Sequence, residues 1–216
     1  EGLHVHSNNP SQWNDKLFEN WGRTLGKMHR YATQYTIYDK FSQNGEEISS
    51  IASWREEYQF FYDWCSEIPI KDKWEELYEK LYQLPIEKES YGLIHNDLHP
   101  HNFLVHNNKI TAIDFDVAAF YWFVKDIAIA LFFAEWYGPA DKKSSKDIFL
   151  EDFYIDFMKG YTAEYHINRF WVSQLPLFLK HHQILLYIVF SNEWGEKPGV
   201  WQTEQLKYWR DSILNE

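Results

Sequence analysis

The feature that most restricts this chain is a short non-helical interval set between two long helical regions. Gly92–His95 reads as a strand, and Phe103–His106 and Lys109–Ile113 read as two more. They flank Asn107-Asn108, a pair that tolerates the left-handed conformations a tight hairpin turn needs. The polar run Asn96 to Asn102 is therefore bracketed by strands, and the hairpin delivers Asp114 at its far end. The expected class is α+β, a mainly helical unit with a small β-hairpin insert.

On either side the apolar period is that of helices. Ser11, after Pro10, is a candidate N-cap for a helix whose face carries Trp13, Leu17, Trp21, Leu25 and Met28 to about Tyr35. Beyond a polar break at Ser42 to Glu47, Ile51, Trp54, Tyr58, Phe61 and Cys65 form a second stripe, expected to end before Pro69. Asp72 is a candidate cap for a third helix bearing Trp74, Leu77, Tyr78 and Leu81 until Pro85. After the strands, helices are expected over Ile127–Trp136, Lys146–Tyr165, Trp171–Asn192 and Gln202–Leu214, with Pro176 offering a later first turn for the third of these.

Composition limits the partners. At 216 residues and 45% hydrophobic content the chain buries a substantial core as one domain or one large lobe, which excludes disorder. Its 11 Trp, 15 Tyr and 16 Phe favour tight packing or ligand-facing walls. A formal charge of −11 with no Lys/Arg cluster argues against nucleic acid and anionic membranes, and favours a cationic partner. The single cysteine, Cys65, excludes an internal disulfide and suits a reducing compartment. No apolar run approaches the ~20 residues that span a bilayer, and the first residues carry no basic-then-apolar pattern. A cytoplasmic chain is expected, with its oligomeric state open.

Phosphoryl transfer needs a carboxylate to orient the attacking hydroxyl and oxygen ligands to hold a divalent cation against the phosphates. Within His95-Asn96-Asp97-Leu98-His99-Pro100-His101-Asn102 and Ile113-Asp114-Phe115-Asp116, the spacing supplies both. Asp97 sits on the loop after one strand, Asn102 opens the hairpin, and the return strand brings Asp114 back beside them.

The pattern H-x-D-x-x-x-x-N, a short hairpin and then D-F-x resembles the catalytic and metal loops of protein-kinase-like enzymes. With His99-Pro100, Leu25-Gly26-Lys27-Met28-His29 and Asp126-Ile127-Ala128, it is more specifically similar to the aminoglycoside phosphotransferases and their choline kinase and homoserine kinase relatives. That resemblance implies a protein-kinase-like C-terminal lobe, with Asp97 as catalytic base and His95 as its support. It implies Asn102 and Asp114 as Mg²⁺ ligands beside ATP or GTP, and Asp126 either capping its helix or bracing the loop from behind. Asp116 replaces the glycine of D-F-G and either adds to the metal site or faces water. No Gly-rich loop or strand-borne lysine precedes the first helix, so the N-terminal, nucleotide-clamping lobe is expected to be absent and this lobe alone inactive.

Other readings of the same residues are weaker. A zinc site at His95, His99 and His101 lacks an H-E-x-x-H motif or a cysteine cluster. His29 reads as a packing residue, and His181 and His182 as one packed and one exposed. The acceptor implied is a small polar molecule, such as an aminoglycoside, a choline-like amine, an amino acid or a sugar. Glu135, Trp136, Glu193, Trp194 and Glu196 are the candidates for its pocket, the alternative for each being core or solvated face. The rival function is a non-catalytic, pseudokinase-like binding module.

Overall fold

The computed structural model describes residues 2–34, 52–195 and 197–215. The break at 42–47, Tyr35, Ile51 and Glu196 lie outside the described residues. The first helix, α1, is Asp15–Ala32, and its N-cap is Asn14, whose side chain accepts from the Leu17 N–H at 3.2 Å. Ser11 does not cap it, because its hydroxyl is spent on Asn9 Oδ1 at 2.8 Å in the preceding turn. Strand β1, Ala52–Ser53, runs into α2, Trp54–Trp64, where Glu56 reaches back to the Ser53 N–H at 2.6 Å.

Helix α2 ends before Pro69, as its sequence suggests, but α3 is Ile68–Tyr82, so the same proline also opens the next helix and Asp72, the candidate cap, lies inside it. Proline's missing N–H and fixed φ suit a first turn. Then come β2 (Tyr91–Ile94), β3 (Phe103–His106), β4 (Lys109–Ala112), β5 (Ala119–Trp122) and α4 (Phe123–Tyr137). The chain continues as α5 (Lys146–Thr162), α6 (Arg169–Ser173), α7 (Leu175–Glu193) and α8 (Val200–Leu214). The single helix expected over 171–192 is two, broken at Gln174, and Pro176 does sit in the first turn of the second.

The hairpin pairs Phe103 with Ala112 and His106 with Lys109, with Asn107 and Asn108 at φ of 48° and 61° in the turn. It is not the whole β content. A second sheet, in the order β1-β5-β2, has β5 antiparallel to β2 and parallel to β1. Strand β5 escaped the sequence reading because Ala-Phe-Tyr-Trp is covered without alternation and merges with the apolar run of α4 behind it.

Helices α1 and α5 pack through Gly22 and Gly160. A Cβ at Gly22 would lie 1.8 Å from the Phe157 carbonyl oxygen, and one at Gly160 would lie 1.8 Å from that of Glu19. This approach drives Trp21 into the rings of Phe153 and Phe157 and against Phe103 of the hairpin, at centroid distances of 5.7, 6.2 and 5.2 Å. The strand that leads to Asn102's partner loop is thereby anchored on the helical core. A second core forms where α3, α7 and α8 meet, from Ile70, Trp74, Ile184, Ile188, Trp209 and Ile213. Because α7 lies between α4 on one side and α3 and α8 on the other, His181 and His182 are both buried, against the expectation that one faces water. Among the described residues no helix is long and apolar enough to cross a membrane.

Candidate active site

The loop leaving β2 is held from below by Asp126, a fully buried residue in the first turn of α4. Its Oδ2 accepts from the His95 N–H at 3.1 Å, and its Oδ1 accepts from the Asn96 N–H at 2.8 Å. His29 Nε2 lies 3.1 Å from Oδ2. A carboxylate only accepts, so Nε2 carries a proton, while Nδ1 pairs with the Tyr161 hydroxyl at 2.8 Å. Burial pushes the Asp126 carboxyl up, but the hydrogen bond and charge of His29, with help from His95 and the Asn96 amide, outweigh it and hold it below the usual range. Of the two roles open to Asp126, the structure has the brace. His29 is the packed, satisfied residue expected.

His95 is buried, and its Nε2 donates to the Ile113 carbonyl at 2.9 Å, one residue before Asp114. Asn96 turns the chain with φ of 68°, in the left-handed region that asparagine tolerates. Asp97 follows, partly exposed. Asn102 Nδ2 donates to Asp97 Oδ2 at 2.8 Å and to the Asp97 carbonyl at 2.9 Å, which leaves the Asn102 amide oxygen for a cation. His99 brings Nε2 to 3.4 Å from Asp97 Oδ2, and its ring lies 4.3 Å from that of Phe133 on α4.

Asp114 stands exposed at the end of the hairpin with φ of 64°. The Asp116 carboxyl, by a hydrogen bond and by its charge, raises Asp114 above the ordinary carboxylate range; burial and the Asp97 charge add to this and His95 opposes it. The Asp114 carboxyl and the free Asn102 amide oxygen are hard oxygen donors of the kind a divalent cation takes. Asp116 stands exposed beside Asp114. Among the described residues no three His, Cys, Asp or Glu side chains are arranged to enclose a metal, so water and phosphate oxygens would complete the coordination. The same finding leaves the zinc reading of His95, His99 and His101 without support.

Glu135 and Trp136 line one cavity of about 580 Å³ with Phe132, Lys180, Trp201 and Trp209. Glu135 is exposed and pairs with Lys146 at 3.1 Å. Glu193 and Trp194 do not line it. Glu193 ends α7 exposed, and Trp194 stacks on Phe190 at 4.6 Å and meets Trp201 at 5.7 Å, joining the cavity's outer wall only through that indole. The sequence reading passed over Glu57 and Lys125. Glu57 on α2 takes Lys125 Nζ on one carboxylate oxygen and Asn96 Nδ2 on the other, the latter at 2.6 Å. Burial lowers the Lys125 ammonium's pKa, with Glu57 opposing.

The chain is similar to known phosphotransferases. The chain is 36% identical over 180 residues to the amicoumacin kinase of Bacillus subtilis (strain 168), an alignment covering 82% of this chain and 51% of that one. It superposes on a solved amicoumacin kinase in complex with AMP-PNP, Ca²⁺ and Ami with a TM-score of 0.86 at 30% identity, covering 99% of this chain and 62% of the other. A microcompartment-associated aminopropanol kinase shares the fold, with a TM-score of 0.60 at 21% identity over 95% of this chain and 63% of its own. The chain thus spans about half the length of the curated relative it matches. Residues 1–170 match the phosphotransferase enzyme family known as APH, and the chain belongs to that family.

Proposed function

We infer that this chain carries the catalytic and metal-holding residues of a kinase that transfers a phosphoryl group from ATP, or GTP, to a hydroxyl of a small polar acceptor. In this reading Asp97 orients the acceptor hydroxyl and accepts its proton. Asn102 and Asp114 would hold Mg²⁺, with Asp116 beside them, and the bound cation would neutralise charge on the phosphate oxygens. The observation that carries the reading is the 2.8 Å bond from Asn102 Nδ2 to Asp97 Oδ2, which fixes the carboxylate's direction and frees the amide oxygen at once. A net charge of −11 and the indoles around Glu135 suit a cationic acceptor, by attraction and by cation–π contact. The likeness to proteins named amicoumacin kinases makes an amicoumacin-type antibiotic the first acceptor to try.

The test is nucleotide consumption by the intact gene product, with Mg²⁺, against amicoumacin, aminoglycosides, choline, homoserine and sugars. One acceptor should drive turnover, and Asp97→Asn should lower it by ~10²-fold, the scale of a positioned acid–base group. Near-normal turnover by Asp97→Asn would remove the base assignment. Nucleotide binding without consumption for any acceptor would leave the pseudokinase-like binding module in its place.

A further inference from the structure

Glu57 and Lys125 have no part in the chemistry described above, yet both are withdrawn from water, with side-chain exposures of 10% and 1%. The Lys125 ammonium lies 3.7 Å from the centroid of the Tyr121 ring and pairs with Glu57 Oε1. Removing two charges from water is unfavourable, and a well-packed apolar pair of the same volume often serves stability as well or better. Stability of the fold therefore does not account for this pair. The second oxygen of Glu57 does, because it accepts from Asn96, the residue immediately before Asp97.

Asn96 Nδ2 also donates to the Val117 carbonyl at 3.0 Å, one residue past Asp116. His95 makes the matching bond on the other side, to the carbonyl of Ile113. The segment bearing Asp114 and Asp116 is thus tied at both ends to the two residues that precede Asp97.

We propose that Glu57 is a positioning residue, which fixes the Asn96 side chain and through it the separation of Asp97 from the Asp114–Asp116 segment. Lys125 supplies the counter-charge that a buried carboxylate at this position needs and an uncharged side chain does not. The kinetic consequence rests on the phosphotransfer reading given above, but the structural consequence does not.

The test compares two uncharged double variants in the intact gene product, Glu57→Leu with Lys125→Met, and Glu57→Gln with Lys125→Met. Both remove the buried charges, and only the glutamine keeps an oxygen for Asn96. The leucine pair should lower kcat by ~10-fold or more with both KM values within about twofold of wild type, and the glutamine pair should recover most of the loss. Hydrogen exchange of amides in 95–97 and 114–118 should quicken ~10-fold in the leucine pair and stay slow in the glutamine pair, with α1 and α5 unchanged. Asn96→Gly, which suits the left-handed φ and leaves the buried pair intact, should reproduce both effects. The proposal is overturned if the two doubles behave alike, or if Asn96→Gly keeps wild-type exchange in 114–118. Because exchange is read without turnover, failure of the kinase reading and failure of this one give different results.

Discussion

Replacing Asp126 by Asn keeps the shape of the side chain and should cost about 3–5 kcal/mol of stability, the range for breaking a buried ionic pair from one side. The figure follows from its three donors, His29 Nε2, the His95 N–H and the Asn96 N–H. A carboxamide offers one oxygen. Placed where Oδ2 is, that oxygen serves His29 and His95 and turns its NH₂ group toward the Asn96 N–H, leaving a buried backbone donor against another donor. An unmade bond of that kind costs ~1–3 kcal/mol. The two bonds that remain lose their charge assistance and about half their strength, which accounts for the rest. With domain stability at ~5–15 kcal/mol, the loss is a large fraction of the total. Urea unfolding at pH 7, followed by tryptophan fluorescence, reads it directly. A double-mutant cycle with His29→Ala should show a coupling above ~1 kcal/mol, since the two groups share one bond network. A loss below ~1 kcal/mol for Asp126→Asn would mean that desolvation already cancels the three bonds, and the bracing argument would fall.

Two further outcomes test the packing around the site. Burial first, then the charge of Lys125, hold His181 and His182 well below the ordinary imidazole value, so both stay neutral in the fold. Below pH ~6.5 the unfolded chain binds protons that the folded chain refuses, so stability should fall with falling pH by roughly 1.4 kcal/mol per unit for each of the two. Among the described residues His182 has no hydrogen-bond partner on either ring nitrogen, and His182→Leu should remove one such increment from the slope between pH 6.5 and 5.5. An unchanged slope in urea titrations would contradict this. Gly160→Ala forces a methyl onto the Glu19 carbonyl and should destabilise by about 3 kcal/mol or more, the upper end of overpacking, seen as a melting temperature lower by ~6–12 °C. A shift under ~2 °C would show that α1 and α5 can part without loss.

What was legible in the sequence was local. Asn107-Asn108 fixes a left-handed turn by its own backbone preferences, and the turn brings Asn102 and Asp114 together at the open end of the same hairpin. The apolar period of α1 survived translation into structure because one face of that helix is buried and the other is wet. The failures have the complementary cause. Strand β5 and the first turns of α4 are covered almost throughout, so the strand shows no period and its boundary with the helix at Phe123 is invisible. Asp72 is misplaced as a cap because Pro69 both follows α2 and opens α3, and only the backbone around it shows that the next helix begins there.

The support of the catalytic loop lay between these cases. Lys125-Asp126 is a pair of charges inside Phe123–Ala134, a run otherwise apolar and, in the fold, nearly all buried. Charges in such a place must be paired, because an unpaired one is too costly to keep out of water. The sequence therefore announces that partners exist, and it does so without naming them. His29 lies 97 residues before Asp126, and Glu57 lies 68 before Lys125. No periodicity reaches across such separations; what joins them is the packing of α1 against β2 and of α2 against β5. The candidate catalytic motif is thus readable as a string of residues, while the geometry around it depends on contacts among α1, α2 and α4, which lie far apart in the chain.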